Sequence, residues 1–148
     1  MTDRVIGYTM ETFTLLVDET IEVEDAVRLG RFDWIDSKID QQNFPRSSNA
    51  KVVKKEIALF HFDKNMFRDE VRAQMDKVAY MPGSFWDLLS LATQKPNLQK
   101  KFPIVSLGYS KECSAAYLTG SAEKRALCLD VFVSSYWSDL YRYIGVKK

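Results

Sequence analysis

The sequence predicts an α+β fold with helices early in the chain and an antiparallel sheet built late. Three patterns carry this prediction. Residues 66–79 have the stripe of an amphipathic helix, residues 104–108 form a short, nearly all-apolar run, and residues 125–133 alternate with period two. Because strand signals follow the helices instead of alternating with them, an antiparallel sheet is favoured over a parallel one.

The first part of the chain contains strand signals at both ends and a helix signal between them. The β-prone run 12–17 predicts a first strand, for which the C-terminal strand is a candidate partner. Residues 22–30 have acidic residues in the first turn and a final glycine, so they predict a short helix. Residues 51–62 predict a strand whose lysine-rich first half is exposed and whose second half, apolar on both faces, is central.

Two helices and several short strands follow. In the helix predicted at 66–79, the apolar stripe consists of Phe67, Val71, Met75 and Val78. Ser84 begins a second helix that runs to about Gln94, and a tight Pro-Gly turn joins the two. A further helical turn starts at Pro96. Strands are then predicted at 104–108, 114–118 and 125–133, and an apolar C-terminal segment should be tied into the sheet.

Length and composition limit the class of protein. A chain of 148 residues without repeats predicts a single domain spanning 1–148. The net charge of +1 provides no general attraction for nucleic acid, so a nucleic-acid partner is not expected. No apolar run approaches the length of a membrane span, and the first residues do not resemble a signal peptide. We therefore expect no membrane insertion and a cytoplasmic location by default.

Motifs for catalysis and metal binding are absent from the sequence. It has no nucleotide-binding glycine pattern, no phosphate loop, no Gly-x-Ser-x-Gly and no His-Glu-x-x-His, so neither enzymatic activity nor a cofactor is predicted. The single histidine, His61, is interpreted as a buried or half-buried side chain bonded to a backbone carbonyl. Cys113 and Cys128 are interpreted as free thiols, and no metal site is expected.

The C-terminal part carries the one candidate site. In the strand predicted at 125–133, one parity is aliphatic and predicts an inward face: Leu127, Leu129, Val131 and Val133. The side chains of the other parity share no chemical type: Ala126, Cys128, Asp130 and Phe132. Residues 134–141 combine serines with tyrosines and a tryptophan, the composition of antibody-type binding loops. In the alternative interpretation, Trp137 is a hydrophobic plug that closes an ordinary sheet.

Two segments resemble a known group of proteins. The run Pro-Ile-Val-Ser-Leu-Gly at 103–108 and the ending Arg-Tyr-Ile-Gly-Val-Lys-Lys at 142–148 are similar to a family of small proteins. That family has a Pro-Ile-Val-Ala-Leu-Gly strand and an Arg-Phe-x-x-Val-Arg-Lys-like end. Some of its members resemble the variable proteins of diversity-generating retroelements. The resemblance implies a C-type lectin-like fold with two main helices and an antiparallel sheet whose terminal strands are paired.

The resemblance also implies a function. Variable proteins bind ligands without catalysis and display hypervariable residues on a rigid scaffold, here with the variable region within 113–141. The residue types that adenine-directed mutagenesis can produce form the candidate binding face: Ala126, Cys128, Asp130, Phe132, Ser134, Ser135, Tyr136, Ser138, Asp139 and Tyr141. Leu127, Leu129, Val131, Trp137, Arg142 and Tyr143 would be scaffold. The partner would be an unknown protein or surface ligand.

This chain departs from lectin and formylglycine-type relatives in two ways. It lacks a recognisable Gly-Gly-Ser-Trp element, and it lacks acidic calcium ligands, so calcium-dependent sugar binding is not inferred. Two alternatives remain at this point. One is a structural or regulatory interaction module of unknown partner; the other is an enzyme of the formylglycine-generating branch, for which Cys113 and Cys128 would be the only reactive thiol pair.

Overall fold

The computed structural model describes residues 7–108, 115–130 and 136–148. Within these residues the chain forms three α-helices and a large mixed sheet, which confirms the α+β class. The helices are α1 (Val23–Leu29), α2 (Arg68–Lys77) and α3 (Phe85–Gln94), and a 3-10 turn follows at Leu98–Lys100. The strands are β1 (Tyr8–Asp18), β2 (Trp34–Ile35), β3 (Val52–Phe62), β4 (Met66–Phe67), β5 (Tyr80–Pro82), β6 (Ile104–Ser106), β7 (Ala115–Gly120), β8 (Arg125–Asp130), β9 (Tyr136–Trp137) and β10 (Arg142–Lys147).

The sheet corrects two predictions. In the described chain its strand order is β1-β3-β10-β6-β7-β8-β2, with β5 also paired to β10. The terminal strands are therefore not paired with each other, because β3 lies between β1 and β10. The sheet is also not purely antiparallel, since β10 runs parallel to β6 and β2 runs parallel to β8.

The position of β3 follows from its sequence. Its second half is buried on both faces, with Ile57 and Leu59 on one side and Ala58, Phe60 and Phe62 on the other. A strand of this kind is most stable in the interior of a sheet, where both edges are hydrogen-bonded and both faces are covered. The predicted contrast between its exposed first half and central second half is confirmed.

Each face of the sheet packs on its own hydrophobic core. On the first face, called the α3 side, Ile57, Leu59 and Ile144 pack with apolar residues of α1 and α3. On the second, called the α2 side, Phe60 and Tyr143 belong to a separate cluster that includes residues of α2 and β9. The sheet thus separates two layers, and a residue's parity along a strand decides which core it joins.

Helix α3 begins as its sequence predicts, whereas α2 begins two residues late. The Ser84 hydroxyl accepts a hydrogen bond from the Asp87 amide at 3.2 Å, and the Asp87 carboxylate accepts one from the Ser84 amide at 2.7 Å. This reciprocal cap satisfies two donors that a helix N-terminus leaves unpaired. Helix α2 begins at Arg68, later than the predicted start, because Met66 and Phe67 pair with β9 as a short strand.

Arg125 fixes the start of β8 from the α3 side. Its buried guanidinium donates hydrogen bonds to the carbonyls of Gly30 and Ala92 at 2.5 and 2.8 Å and to that of Pro96 at 3.0 Å. It also lies over the ring of Phe32, 5.1 Å from the centroid. These carbonyls lie at or just beyond the ends of α1 and α3, where the helix dipole favours a cation. One side chain therefore connects both helices to the sheet.

Candidate functional site

Strand β8 places its aliphatic residues in the α3-side core, as predicted. Leu127 is fully buried and Leu129 is 9% exposed, and both pack with residues of α1 and α3. Val131 and Val133, the other members of the predicted inward set, lie outside the described residues. The described part of the inward face is therefore scaffold.

The opposite face of β8 is only partly open to solvent. Ala126 and Asp130 are half-buried, but Cys128 is only 9% exposed. The expectation that Cys128 projects into solvent is therefore wrong. Tyr117 lies directly opposite it on β7, and the tyrosine hydroxyl hydrogen-bonds the thiol. The cross-strand neighbour covers the small side chain because directly opposed residues lie within roughly 5 Å of each other.

The ring of Tyr117 belongs to a cluster of three aromatic side chains on the α2 side. Tyr117, Trp137 and Tyr141 contact one another edge to face, with centroid separations of 5.0 to 6.2 Å. The ring of Trp137 is the most buried, at 5% exposure, while both tyrosines are half-buried. We call the surface formed by Tyr117, Cys128, Asp130 and Tyr141 the tyrosine face; the buried ring of Trp137 packs against it as scaffold. Edge-to-face packing stabilises such a cluster beyond the area it buries.

The phenols and the thiol of the tyrosine face are uncharged at neutral pH. Burial is the main cause that raises the pKa of Tyr117 to about 12, and the negative charge that Cys128 and Tyr141 acquire at alkaline pH adds to it. Burial likewise raises the pKa of Tyr141, and the neighbouring Asp130 carboxylate adds to this effect. Burial also raises the pKa of the Cys128 thiol, although the hydrogen bond from Tyr117 opposes the shift. The phenols and the thiol therefore stay protonated at neutral pH, and the Tyr117 hydroxyl uses its proton in the hydrogen bond to Cys128.

The segment after Tyr136 is more ordered than the loop that its composition predicts. Tyr136 and Trp137 pair with Phe67 and Met66, and the rings of Phe67 and Tyr136 meet at 4.6 Å. Both rings remain exposed, at 47% and 51%. Although the Asp139 side chain is exposed, its backbone is anchored, because its carbonyl accepts a 2.6 Å hydrogen bond from His61 Nε2. The interpretation of His61 as a half-buried, carbonyl-bonded residue is thus confirmed.

The predicted site residues separate into groups in the structure. Cys128, Asp130 and Tyr141 belong to one cluster, because Asp130 and Cys128 both contribute to the raised pKa of Tyr141. Tyr136 lies next to it in the chain on β9, followed by half-buried Ser138 and exposed Asp139. Ala126 lies at the other end of β8, paired with Thr119 on one side and Trp34 on the other. Phe132, Ser134 and Ser135 lie outside the described residues.

The sequence did not identify Tyr117 as a residue of the candidate site. Its strand was predicted, but nothing local to residues 114–118 indicates that its ring lies over Cys128. The available signal was the short turn between two predicted strands, which makes β7 and β8 neighbours. Register fixes the pairing of individual residues, and the pattern of one strand does not determine it.

The described residues offer no group of three or more His, Cys, Asp or Glu side chains that could hold a metal ion. None of the helices in the described ranges is long and apolar enough to cross a membrane. Fold and site together define a mixed α+β protein with a surface cluster of protonated tyrosines. Comparisons with protein-family models, with curated proteins and with solved structures found no match to this chain.

Proposed function

We propose that this protein binds a ligand without catalysis, through the tyrosine face and the adjoining segment Tyr136–Asp139. The observation that carries the proposal is the difference in exposure among residues of β8, of β9 and of the segment that follows β9. Leu127 and Trp137 are buried, whereas Tyr136 is half exposed and Asp139 is open to solvent. A scaffold of this kind keeps its contact residues in place while their side chains remain available to a partner.

The chemistry of the surface suits recognition of a protein or another large polar ligand. Tyrosines provide a large contact area at low cost in side-chain entropy, and their hydroxyls donate or accept hydrogen bonds. Tyr136 and Tyr141 are the aromatic anchors of the proposed surface, and Asp130 and Asp139 provide its negative charge. Affinity would come mainly from the rings, and specificity from the charged and hydroxyl groups around them.

Two groups that could serve an enzyme, Cys128 and His61, are engaged in ways that oppose reactivity. A thiol acts as a nucleophile when its pKa is lowered, but burial raises the pKa of Cys128. The Nε2 atom of His61 is occupied by the Asp139 carbonyl. Both observations favour binding over catalysis, including over a formylglycine-type reaction that uses the thiol of Cys128.

We further propose that this surface is the diversified site of a retroelement variable protein on a C-type lectin-like scaffold. Sequencing the DNA that flanks the gene tests this. We expect a near-identical repeat, beside a reverse transcriptase gene, that differs at adenines in codons such as those of Asp130, Tyr136 and Asp139. The codons of Leu127, Leu129 and Trp137 should match the repeat. Differences concentrated in those three codons, or no repeat at all, would overturn the diversified site.

A display library tests ligand binding itself. Randomising Ala126, Asp130, Tyr136 and Asp139 together should give mostly folded proteins, from which binders to an arbitrary target protein such as lysozyme can be selected. A matched library that randomises Leu127, Leu129 and Trp137 should give mostly unfolded ones. If the two libraries yield folded members at the same frequency, or if the first yields no binders, the surface is not a binding site of this kind.

A second candidate, an interaction module with one fixed partner, is supported by the exposed pair Phe67 and Tyr136. Two large rings in contact and about half exposed resemble the anchor of a protein interface. Phe67 lies outside the C-terminal segment that diversification would alter. A fixed partner would therefore require Phe67 and Tyr136 equally, and natural copies of the gene would preserve both.

A further inference from the structure

A pocket lies on the α3 side of the sheet, between the loop before β3 and the N-terminus of α3. Its volume is about 170 Å³, and its lining consists of Glu19, Asn43, Phe44, Pro45, Ser47, Ser84, Phe85 and Trp86. Phe44, Phe85 and Trp86 belong to the α3-side core. The tyrosine face belongs to the α2 side, so the two surfaces share no residue.

Aromatic rings form the apolar wall of this pocket. Phe44 stacks on Phe85 with centroids 4.1 Å apart, and Trp86 meets Phe85 edge to face at 5.5 Å. All three side chains are buried and belong to one packed cluster, so the wall is fixed before any ligand arrives. A preformed aromatic wall of this kind is typical of small-molecule sites.

The volume limits the size of the ligand. An engineered apolar cavity of about 150 Å³ is large enough to bind benzene. The pocket, at about 170 Å³, therefore accommodates one six-membered ring with a short substituent. Larger bicyclic ligands would have to extend into solvent past Pro45 and Ser47, which are exposed.

Charge limits the chemistry of the substituent. Lys55 Nζ lies between two carboxylates, 2.8 Å from Asp87 and 3.1 Å from Glu19. Burial alone lowers the pKa of Lys55, but the hydrogen bonds and charges of the two carboxylates raise it overall, so the lysine stays charged. These groups together carry one excess negative charge. The neighbouring Arg46 and Glu22 cancel each other in an ion pair of 2.8 Å.

Glu19 is the group that can receive a ligand. Its Oε2 atom accepts from Lys55, and within the described chain no hydrogen bond reaches Oε1. Asp87 is different, since one of its oxygens accepts from Lys55 and the other caps α3. A carboxylate oxygen with spare acceptor capacity beside aromatic rings matches a cation, which gains from both the charge and the ring faces.

We propose that this pocket binds a small organic cation, composed of one ring and an ammonium group, with the ring against Phe44 and Trp86 and the ammonium at Glu19. The proposal does not rest on the function proposed for the tyrosine face. Benzylammonium is the simplest probe of this class, and benzyl alcohol and benzoate are matched probes that keep the ring and change the charge.

Titration of the full chain with each probe, followed by amide NMR shifts, tests the proposal. Benzylammonium should shift the amides of Glu19, Phe44 and Trp86, and it should bind at least tenfold more tightly than benzyl alcohol; benzoate should not bind. Equal affinity for the alcohol and the ammonium would overturn the role of the carboxylate. Absence of shifts at these amides up to about 10 mM benzylammonium would overturn the site.

Two variants separate the ring contribution from the charge contribution. Glu19→Gln keeps the shape of the side chain and should weaken benzylammonium binding about tenfold, while Glu24→Gln, on the exposed face of α1, should leave it unchanged. Phe44→Leu keeps an apolar wall without a ring face and should weaken all ring-containing probes. Comparing the probes on the unmodified protein does not depend on how well any variant folds. Equal affinity in Glu19→Gln and Glu24→Gln would contradict the proposal.

Discussion

The two faces of β8 have the same strand geometry but different environments. Arg125, Leu127 and Leu129 point to the α3 side, where aliphatic packing and a buried guanidinium hold them. Cys128 and Asp130 point to the α2 side, among tyrosines and a tryptophan. Both faces contain buried residues, so burial alone does not separate scaffold from site. The difference lies in what covers each face: a closed apolar layer on one side and a half-open polar aromatic layer on the other.

The largest loss of stability is expected from a substitution in the closed apolar layer on the α3 side. Leu127→Ala should reduce the free energy of unfolding by about 3 kcal/mol, because it removes a fully buried side chain and leaves a cavity. The adjacent Ala126→Ser, on the half-buried opposite face, should change it by less than about 0.5 kcal/mol. Urea denaturation measures both. Similar losses in the two variants would mean that the faces of β8 are not distinguished by packing.

The next largest loss of stability is expected from a change to the Arg125 guanidinium in the same layer. Arg125→Lys should destabilise the protein by about 2 kcal/mol, because an ammonium cannot reproduce the planar fork that reaches Gly30, Ala92 and Pro96 together. Arg28→Lys is the control, since Arg28 is exposed and its ion pair is with Asp25 on the same helix. A thermal unfolding midpoint that falls equally in both variants would contradict this role of Arg125.

The stability contributed by the half-open layer, on the α2 side of β8, should fall at alkaline pH. The pKa of Tyr117 is about 12 in the folded protein and roughly 10 in the unfolded chain. Because the folded pKa is raised, the stabilisation is complete below pH 10 and is lost as the pH rises through 12. Tyr117→Phe should therefore lose less stability than the unmodified protein between pH 10 and pH 12. Identical pH profiles would show that Tyr117 ionises as freely in the fold as in the unfolded chain.

The smallest loss of stability is expected at Tyr136, in the segment that adjoins the tyrosine face. Tyr136→Ser should lower the free energy of unfolding by less than about 1 kcal/mol, because the ring is half exposed and mainly contacts Phe67. The same change at the adjacent Trp137, which is buried, should cost about 3 kcal/mol. Guanidinium melts of both variants give the comparison. A loss at Tyr136 as large as that at Trp137 would show that Tyr136 is scaffold.

Much of the local structure could be predicted from the sequence. The buried second half of β3, the bodies of α2 and α3, and the reciprocal cap at Ser84 follow from patterns that span a few residues. His61 was also interpreted correctly, because no partner residues for catalysis accompany it in the sequence. Propensity, periodicity and capping act over short separations, so a single chain displays them directly.

Features that depend on distant partners could not be predicted. The insertion of β3 between the terminal strands, the parallel pairing of β2 with β8 and the contact of β4 with β9 join segments far apart in the chain. The burial of Cys128 has the same origin, since it depends on which residue of β7 lies opposite. Alternation predicts two faces but does not state what lies above each one.

By itself, the sequence determined the class of fold, the positions of the main elements and the aliphatic face of β8, because local hydrophobic patterns encode each of these. Only the tertiary structure decided the order of the strands, the cover that Tyr117 provides for Cys128, and the pocket between Glu19 and Phe44. The physical reason is that a strand satisfies its hydrogen bonds with any compatible neighbour. Which neighbour a strand pairs with depends on how well that pairing buries the apolar faces of all the strands and helices together.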